Sequence, residues 1–205
     1  MKFREFETKI NKLPVFKLND IRKIDPDFHR QQLTYWQKAG YIKSLPGSYY
    51  MLSERQVNEN FLFMFANRLY EPSYISLESA LAYYQIIPET VFGVTSVSSR
   101  KTVRFHSEYG IFSYKNFQPK ILFGYQIIEP KQALKYKIAN LEKAILDFLY
   151  FHPEIKSIED LETLRWNSDI LRIELKKPQF SQYLQIFNRK SLNVRVEILM
   201  EYINA

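Results

Sequence analysis

Residues that could carry out catalysis are few in this chain and stand far apart. The 205 residues include no cysteine and three histidines, His29, His106 and His152. A catalytic nucleophile needs a neighbouring base, and a zinc site needs several closely spaced His or Cys residues, so neither is predicted. The five glycines form no phosphate-binding loop. We therefore expect no catalytic residue, no metal and no cofactor.

The chain also repeats a fragment of metal-dependent nuclease motifs, a glutamate followed two residues later by a lysine. The fragment occurs at 7–9, 129–131, 154–156 and 174–176. Four copies in so short a chain indicate that the pattern arises by chance, and none lies in a convincing core strand. An enzyme that acts on nucleic acid is therefore the least favoured class of function.

Polar and basic side chains gather in one segment of the second half of the chain, between predicted strands. This cluster consists of Ser98, Ser99, Arg100, Lys101 and Arg104. Such a surface can hold RNA, a nucleotide or an acidic partner. Lysine and arginine also discourage pairing at an exposed sheet edge, so a solvated hairpin edge is the other interpretation.

The positive charge of the chain is concentrated near its N-terminus. The net charge is +7, and residues 1–58 hold 11 Lys or Arg against 6 Asp or Glu. The remaining residues hold 18 against 16 and are almost neutral. A basic module attached to a neutral body is typical of proteins that bind a polyanion. A well-solvated surface is the alternative.

The basic module, residues 1–55, is called the head here, and residues 56–205 are called the body. Apolar spacing in the head predicts helices over 4–13, 16–24 and 28–39, the last capped by Asp27. Two strands, 41–45 and 49–52, follow and are joined by 46–48. Three helices and a hairpin form the order of a winged helix-turn-helix, whose third helix enters the DNA major groove.

The predicted third helix turns Leu33, Trp36 and His29 toward the core, so His29 is expected to be packed. Its opposite face and the hairpin supply the predicted DNA-binding residues, which are Arg30, Gln31, Thr34, Tyr35, Lys38, Lys43 and Ser44. Arg, Gln and Thr can read base edges, whereas Lys and Tyr can contact phosphates. A polar helix face without a ligand is the alternative.

The body is predicted to be α+β, with a small, mostly antiparallel sheet and a helical C-terminus. A buried helix is expected around 61–66. Predicted strands cover 94–97, 102–105, 111–114, 123–128 and 133–138. Predicted helices cover 77–84, 141–151, 158–166, 169–175, 179–188 and 190–203, the first, second and third capped by Ser76, Asn140 and Ser157.

No run approaches the roughly 18 apolar residues of a membrane span, and the N-terminus carries acidic residues and no apolar run, so it does not resemble a signal peptide. The expected compartment is therefore the cytoplasm, without membrane contact.

Several segments follow a recognisable order along the chain. They are 74–84, 87–89, 95–102, 110–114, 123–125 and 139–147, the last containing Asn-Leu-Glu-Lys-Ala-Ile-Leu-Asp. The head adds Leu33, Trp36, Gly40, Ile42, Gly47 and Tyr50. Together these residues resemble the AbiEi family of bacterial antitoxins over roughly residues 15–155. One residue departs from the family pattern: Leu141 stands where the family carries a proline.

The resemblance implies a non-catalytic antitoxin of a type IV toxin–antitoxin pair with an N-terminal winged helix-turn-helix. It implies that the head binds inverted repeats upstream of its own operon and represses transcription. It also implies that the body counteracts a nucleotidyltransferase-like toxin, often without a stable complex. The alternative is a transcriptional regulator without a toxin partner, whose body senses a ligand or a protein.

Overall fold

A computed structural model describes residues 1–88, 92–130 and 134–204. The head contains three helices followed by a two-stranded antiparallel hairpin, in the predicted order. These elements are α1 (Phe3–Ile10), α2 (Leu18–Arg22), α3 (Gln31–Lys38), β1 (Ile42–Leu45) and β2 (Tyr49–Leu52). A 3₁₀ turn, Pro46–Ser48, joins the two strands.

The first two helices are shorter than predicted because side chains and a strand bridge take over the backbone groups at their ends. The guanidinium of Arg55 donates to the carbonyl oxygens of Asn11 (2.9 Å) and Leu13 (3.3 Å) just beyond α1. Phe16 forms an isolated antiparallel bridge with Tyr50 of β2, so α2 cannot begin at residue 16.

α3 begins three residues later than predicted. The Phe28 ring lies 5.2 Å from that of Trp36 between centroids, so Phe28 and not His29 fills this part of the core. His29 is exposed, and the prediction of a packed histidine is wrong. Asp27 does not cap α3 either, because Arg30 occupies the N-cap position and its side chain makes no capping hydrogen bond.

The hairpin forms a wall that the head and the body share. Ile42 and Leu52, which are paired across its two strands, belong to the apolar core of the head. Leu45 and Met51 belong to the larger apolar core of the body. Apolar area removed from water on both faces stabilises the hairpin and holds the head against the body.

The body begins with α4 (Glu59–Leu69), which contains the predicted buried segment, and α5 (Leu77–Tyr83) follows a short strand. The strands are β3 (Ser73–Ile75), β4 (Gly93–Ser98), β5 (Val103–Ser107), β6 (Gly110–Asn116), β7 (Tyr125–Ile128) and β8 (Tyr136–Ala139). Residue 133, where the last predicted strand starts, lies outside the described residues.

These six strands form one sheet in the order β5–β6–β4–β3–β8–β7. β4 pairs with β6 and β3 with β8 in parallel, whereas the other three pairings are antiparallel. The sheet is therefore mixed but mostly antiparallel, and it has six strands, one more than the five predicted. β3 escaped prediction because all three of its residues are buried and leave no alternating pattern.

Five helices complete the chain and confirm the α+β class with a helical C-terminus. They are α6 (Leu141–Phe151), α7 (Ile158–Thr163), α8 (Ser168–Glu174), α9 (Lys177–Phe187) and α10 (Lys190–Asn204). α6 is the central helix, since every residue from 141 to 149 is buried. Within the described ranges, no helix is long and apolar enough to span a membrane.

α6 carries a fully buried ion pair, Lys143 and Asp147. The Lys143 ammonium donates to Asp147 Oδ1 and, at 2.8 Å, to the Tyr74 hydroxyl. Asp147 Oδ2 accepts hydrogen bonds from the hydroxyls of Tyr74 (3.0 Å) and Ser76 (2.7 Å). Burial lowers the pKa of Lys143 and raises that of Asp147, while the attraction between the two groups opposes both shifts.

Aromatic rings surround the same ammonium group on its other side. The centroids of Phe187, Phe117 and Phe123 lie 4.7, 4.8 and 5.0 Å from Lys143 Nζ. Ring faces attract a cation, and more strongly where water is excluded. The network therefore joins the sheet, α6 and the C-terminal helices at one buried point.

His152, just after α6, makes the stability of this region depend on pH. Its Nδ1 lies 2.5 Å from Glu154 Oε1, and its Nε2 lies 3.7 Å from Glu78 Oε1. Burial by itself lowers the pKa of His152, but the interactions with Glu78 and Glu154 outweigh it, and the pKa is raised. The protonated form is therefore favoured in the folded protein.

We expect His152→Gln to destabilise the protein more under mildly acidic than under alkaline conditions. A histidine whose pKa is raised by folding stabilises the folded protein fully when the pH is below its unfolded pKa of about 6.5. This stabilisation disappears as the pH rises through the pKa of the histidine in the folded protein. Urea unfolding of both proteins at about pH 5.5 and about pH 8.5 measures the difference. Equal differences at both pH values would contradict the assignment.

Candidate nucleic-acid interface

The exposed face of α3 carries most of the residues predicted to bind DNA. Leu33 and Trp36 are 2% and 4% exposed and anchor the helix in the head core. All five residues predicted for DNA binding on this helix are exposed, namely Arg30, Gln31, Thr34, Tyr35 and Lys38. Tyr35 is 66% exposed, which is high for a large aromatic side chain. The structure thus brings these predicted residues together on one face.

The side chain of the hairpin residue Lys43, which is predicted to contact DNA, is held by the body. Its ammonium donates a 3.3 Å hydrogen bond to the hydroxyl of Tyr109, in the turn between β5 and β6 of the body. The same bond is the main cause that raises the pKa of Lys43. Ser44, the other predicted hairpin residue, is exposed. The body therefore determines where the Lys43 charge lies.

The polar cluster of the body is divided between structural and exposed residues. Ser98 is buried, and its hydroxyl donates to the Pro72 carbonyl at 2.7 Å, so its assignment to a surface is wrong. Arg100 donates to the Glu71 carbonyl (3.2 Å) and lies 4.1 Å from the Tyr70 ring centroid. Both residues hold the start of β3 in place.

The other members of that cluster stay near the surface. Ser99 is half-buried, and Lys101 and Arg104 are exposed. Arg104 points outward from the edge strand β5, where a charged side chain limits pairing with another chain. His106, on the same strand, is also exposed.

The contact between Lys43 and Tyr109 could not be predicted from the sequence. Lys43 and Tyr109 are 66 residues apart, and a single sequence reports no contact of this range. Tyr109 lies in the turn between β5 and β6, and the local sequence does not indicate what this turn faces.

In the described part of the chain, no three His, Asp or Glu side chains come together at a spacing that could hold a metal ion. Of the four Glu-x-Lys fragments, the one at 129–131 ends at a residue outside the described ranges. Glu154, which begins the fragment at 154–156, interacts with the imidazole of His152.

No protein-family model matches the chain, and no curated protein matches it significantly.

Proposed function

We propose that the protein is a DNA-binding antitoxin that represses its own operon and counteracts a nucleotidyltransferase-like toxin. The observation that carries the DNA-binding half is the geometry of α3. Its apolar side is buried in the head core, and its polar side is exposed from Arg30 to Lys38. An eight-residue helix is about 12 Å long, and an α-helix fits the width of the major groove.

The order of three helices and a hairpin supports a winged helix-turn-helix in which α3 is the recognition helix. In such domains the N-terminal residues of the recognition helix contact base edges. Arg30 and Gln31 occupy that end of α3, and Thr34 lies one turn further along. Tyr35 and Lys38 are assigned to phosphate contacts.

The hairpin supplies a further phosphate contact in this proposal, through Lys43. We expect Lys43→Gln to weaken binding to every DNA sequence alike, because a phosphate contact carries no base information. The slope of log affinity against log salt should fall by about 0.9, the value for one phosphate. Anisotropy titrations over a salt series measure this slope.

Tyr109→Phe is the matched control for Lys43→Gln, because it keeps the aromatic ring and the lysine charge but removes the hydrogen bond. Its salt slope should equal that of the unaltered protein. An unchanged slope in Lys43→Gln would remove Lys43 from the interface.

The antitoxin half rests on the resemblance of residues 15–155 to the AbiEi family. Co-expression with a neighbouring nucleotidyltransferase-like gene tests it. The full chain should restore growth of cells that produce the toxin, and Arg30→Ala should restore it equally, because that change affects the reading of DNA. Failure of the full chain to restore growth would contradict this half.

A transcriptional regulator without a toxin partner is the second candidate. The cleft between head and body described below favours it, because a ligand there would contact both parts. DNA binding in the absence of any neighbouring nucleotidyltransferase-like gene would select this candidate.

A further inference from the structure

A cleft lies between the head and the body, on the side of α4. Its volume is about 430 Å³, within the range of small-molecule sites. The segment 12–14 of the head forms one wall. The body contributes the C-terminal half of α4, the start of β3 and the start of β8. Both parts of the protein therefore contribute to this cleft.

The charged residues of the lining are mostly cations. Lys12, Arg68, Lys135 and Lys137 face one acid, Glu71. Lys135 pairs with Glu129. Lys12 and Arg68 are exposed and have no ion-pair partner within residues 1–88, 92–130 and 134–204. An anion in the cleft would supply that partner.

Two buried polar groups of the lining lack hydrogen bonds. Asn67 is 8% exposed and Ser73 is 4% exposed. Asn67 Nδ2 and Ser73 Oγ have no hydrogen-bond partner among the residues that the structure describes. Asn67 Oδ1 accepts a hydrogen bond from the backbone N–H of Lys137, and this bond fixes the orientation of the amide. The NH₂ group of Asn67 is therefore the end of the amide that lacks a partner among the described residues. Buried groups of this kind are costly to leave unpaired.

We propose that this cleft binds the phosphate group of a small phosphorylated molecule. Asn67 Nδ2 and Ser73 Oγ would donate hydrogen bonds to the phosphate oxygens, and Lys12 and Arg68 would balance its charge. Hydrogen bonds from neutral donors to a charged acceptor are stronger than those between neutral groups.

A free small molecule fits the cleft better than the backbone of a DNA duplex. The two donors are more than nine-tenths buried, whereas the phosphates of a duplex lie on a wide cylinder that cannot enter a cleft of about 430 Å³. The proposal is independent of DNA binding by α3, since none of the lining residues belongs to α3.

Isothermal titration of the full chain with inorganic phosphate and with AMP tests the proposal, with adenosine and chloride at equal ionic strength as controls. We expect saturable binding of phosphate and AMP but not of adenosine. Asn67→Asp keeps the acceptor for Lys137 but replaces the donor by a negative charge, so it should weaken binding by about tenfold or more.

Ser73→Ala and Lys12→Gln should each weaken binding severalfold, and they decide the outcome if Asn67→Asp does not fold. Lys120→Gln is the matched control, because Lys120 is an exposed lysine that does not line the cleft. Its affinity should equal that of the unaltered protein.

Three results would overturn the proposal. They are the absence of saturable binding, equal affinity in the three cleft variants and the control, and displacement of phosphate by a random DNA duplex. The last would assign the cleft to contact with the DNA backbone.

Discussion

Replacing Asp147 by alanine should lower the free energy of unfolding by about 3–5 kcal/mol, the usual cost of breaking a buried ion pair. The loss would leave the ammonium of Lys143 charged and fully buried, with the Tyr74 hydroxyl as its remaining polar contact. The hydroxyl of Ser76 would lose its acceptor as well. Urea unfolding followed by circular dichroism measures the change.

The double variant Lys143→Met/Asp147→Leu should recover most of this stability, because replacing both partners by apolar residues removes the buried charge. Glu5→Ala is the matched control: Glu5 and Lys9 form an ion pair with the same spacing on α1, but on the surface. The control should leave stability nearly unchanged, since solvent screens exposed pairs. A double variant as unstable as Asp147→Ala would refute this account of the network.

The second large effect is expected at Arg30. Arg30→Ala should cost about 1–3 kcal/mol of binding to the operator, the value of a bidentate contact between arginine and guanine. Binding to random duplex should change less, so the preference for the operator should decrease. Competition titrations with both duplexes measure the preference directly.

Arg189→Ala is the control for Arg30→Ala, because Arg189 is also exposed but lies between α9 and α10, at the far end of the chain. Its ratio of operator to random affinity should equal that of the unaltered protein. An unchanged ratio in Arg30→Ala would remove Arg30 from base recognition.

The local features of this protein could be predicted where a pattern repeats within a few residues. Leu33 and Trp36 mark the buried side of α3 and so identify its exposed side. Ser157 was expected to cap a helix, and it occupies the N-cap position of α7, where its backbone N–H donates to Asp160 Oδ2. These features depend on neighbours along the chain, which a single sequence contains.

Other features required contacts between distant residues. Ser76 was expected to cap α5, but its hydroxyl donates to Asp147, 71 residues away. Asn140 was expected to cap α6, but its amide donates to Tyr183. Ser98 looked like a surface residue until the pairing of β3 with β4 buried it. Tertiary partners outcompete local ones at such positions, and local spacing does not report them.

The central claim, that the head reads DNA through α3, is tested most directly by one titration. The purified protein is titrated against its own upstream DNA at two salt concentrations, with random duplex as competitor. The proposal predicts binding that survives the competitor and falls steeply with salt, by about 0.9 in log slope for each phosphate contacted. Absence of binding, or equal displacement by the random duplex, would contradict it.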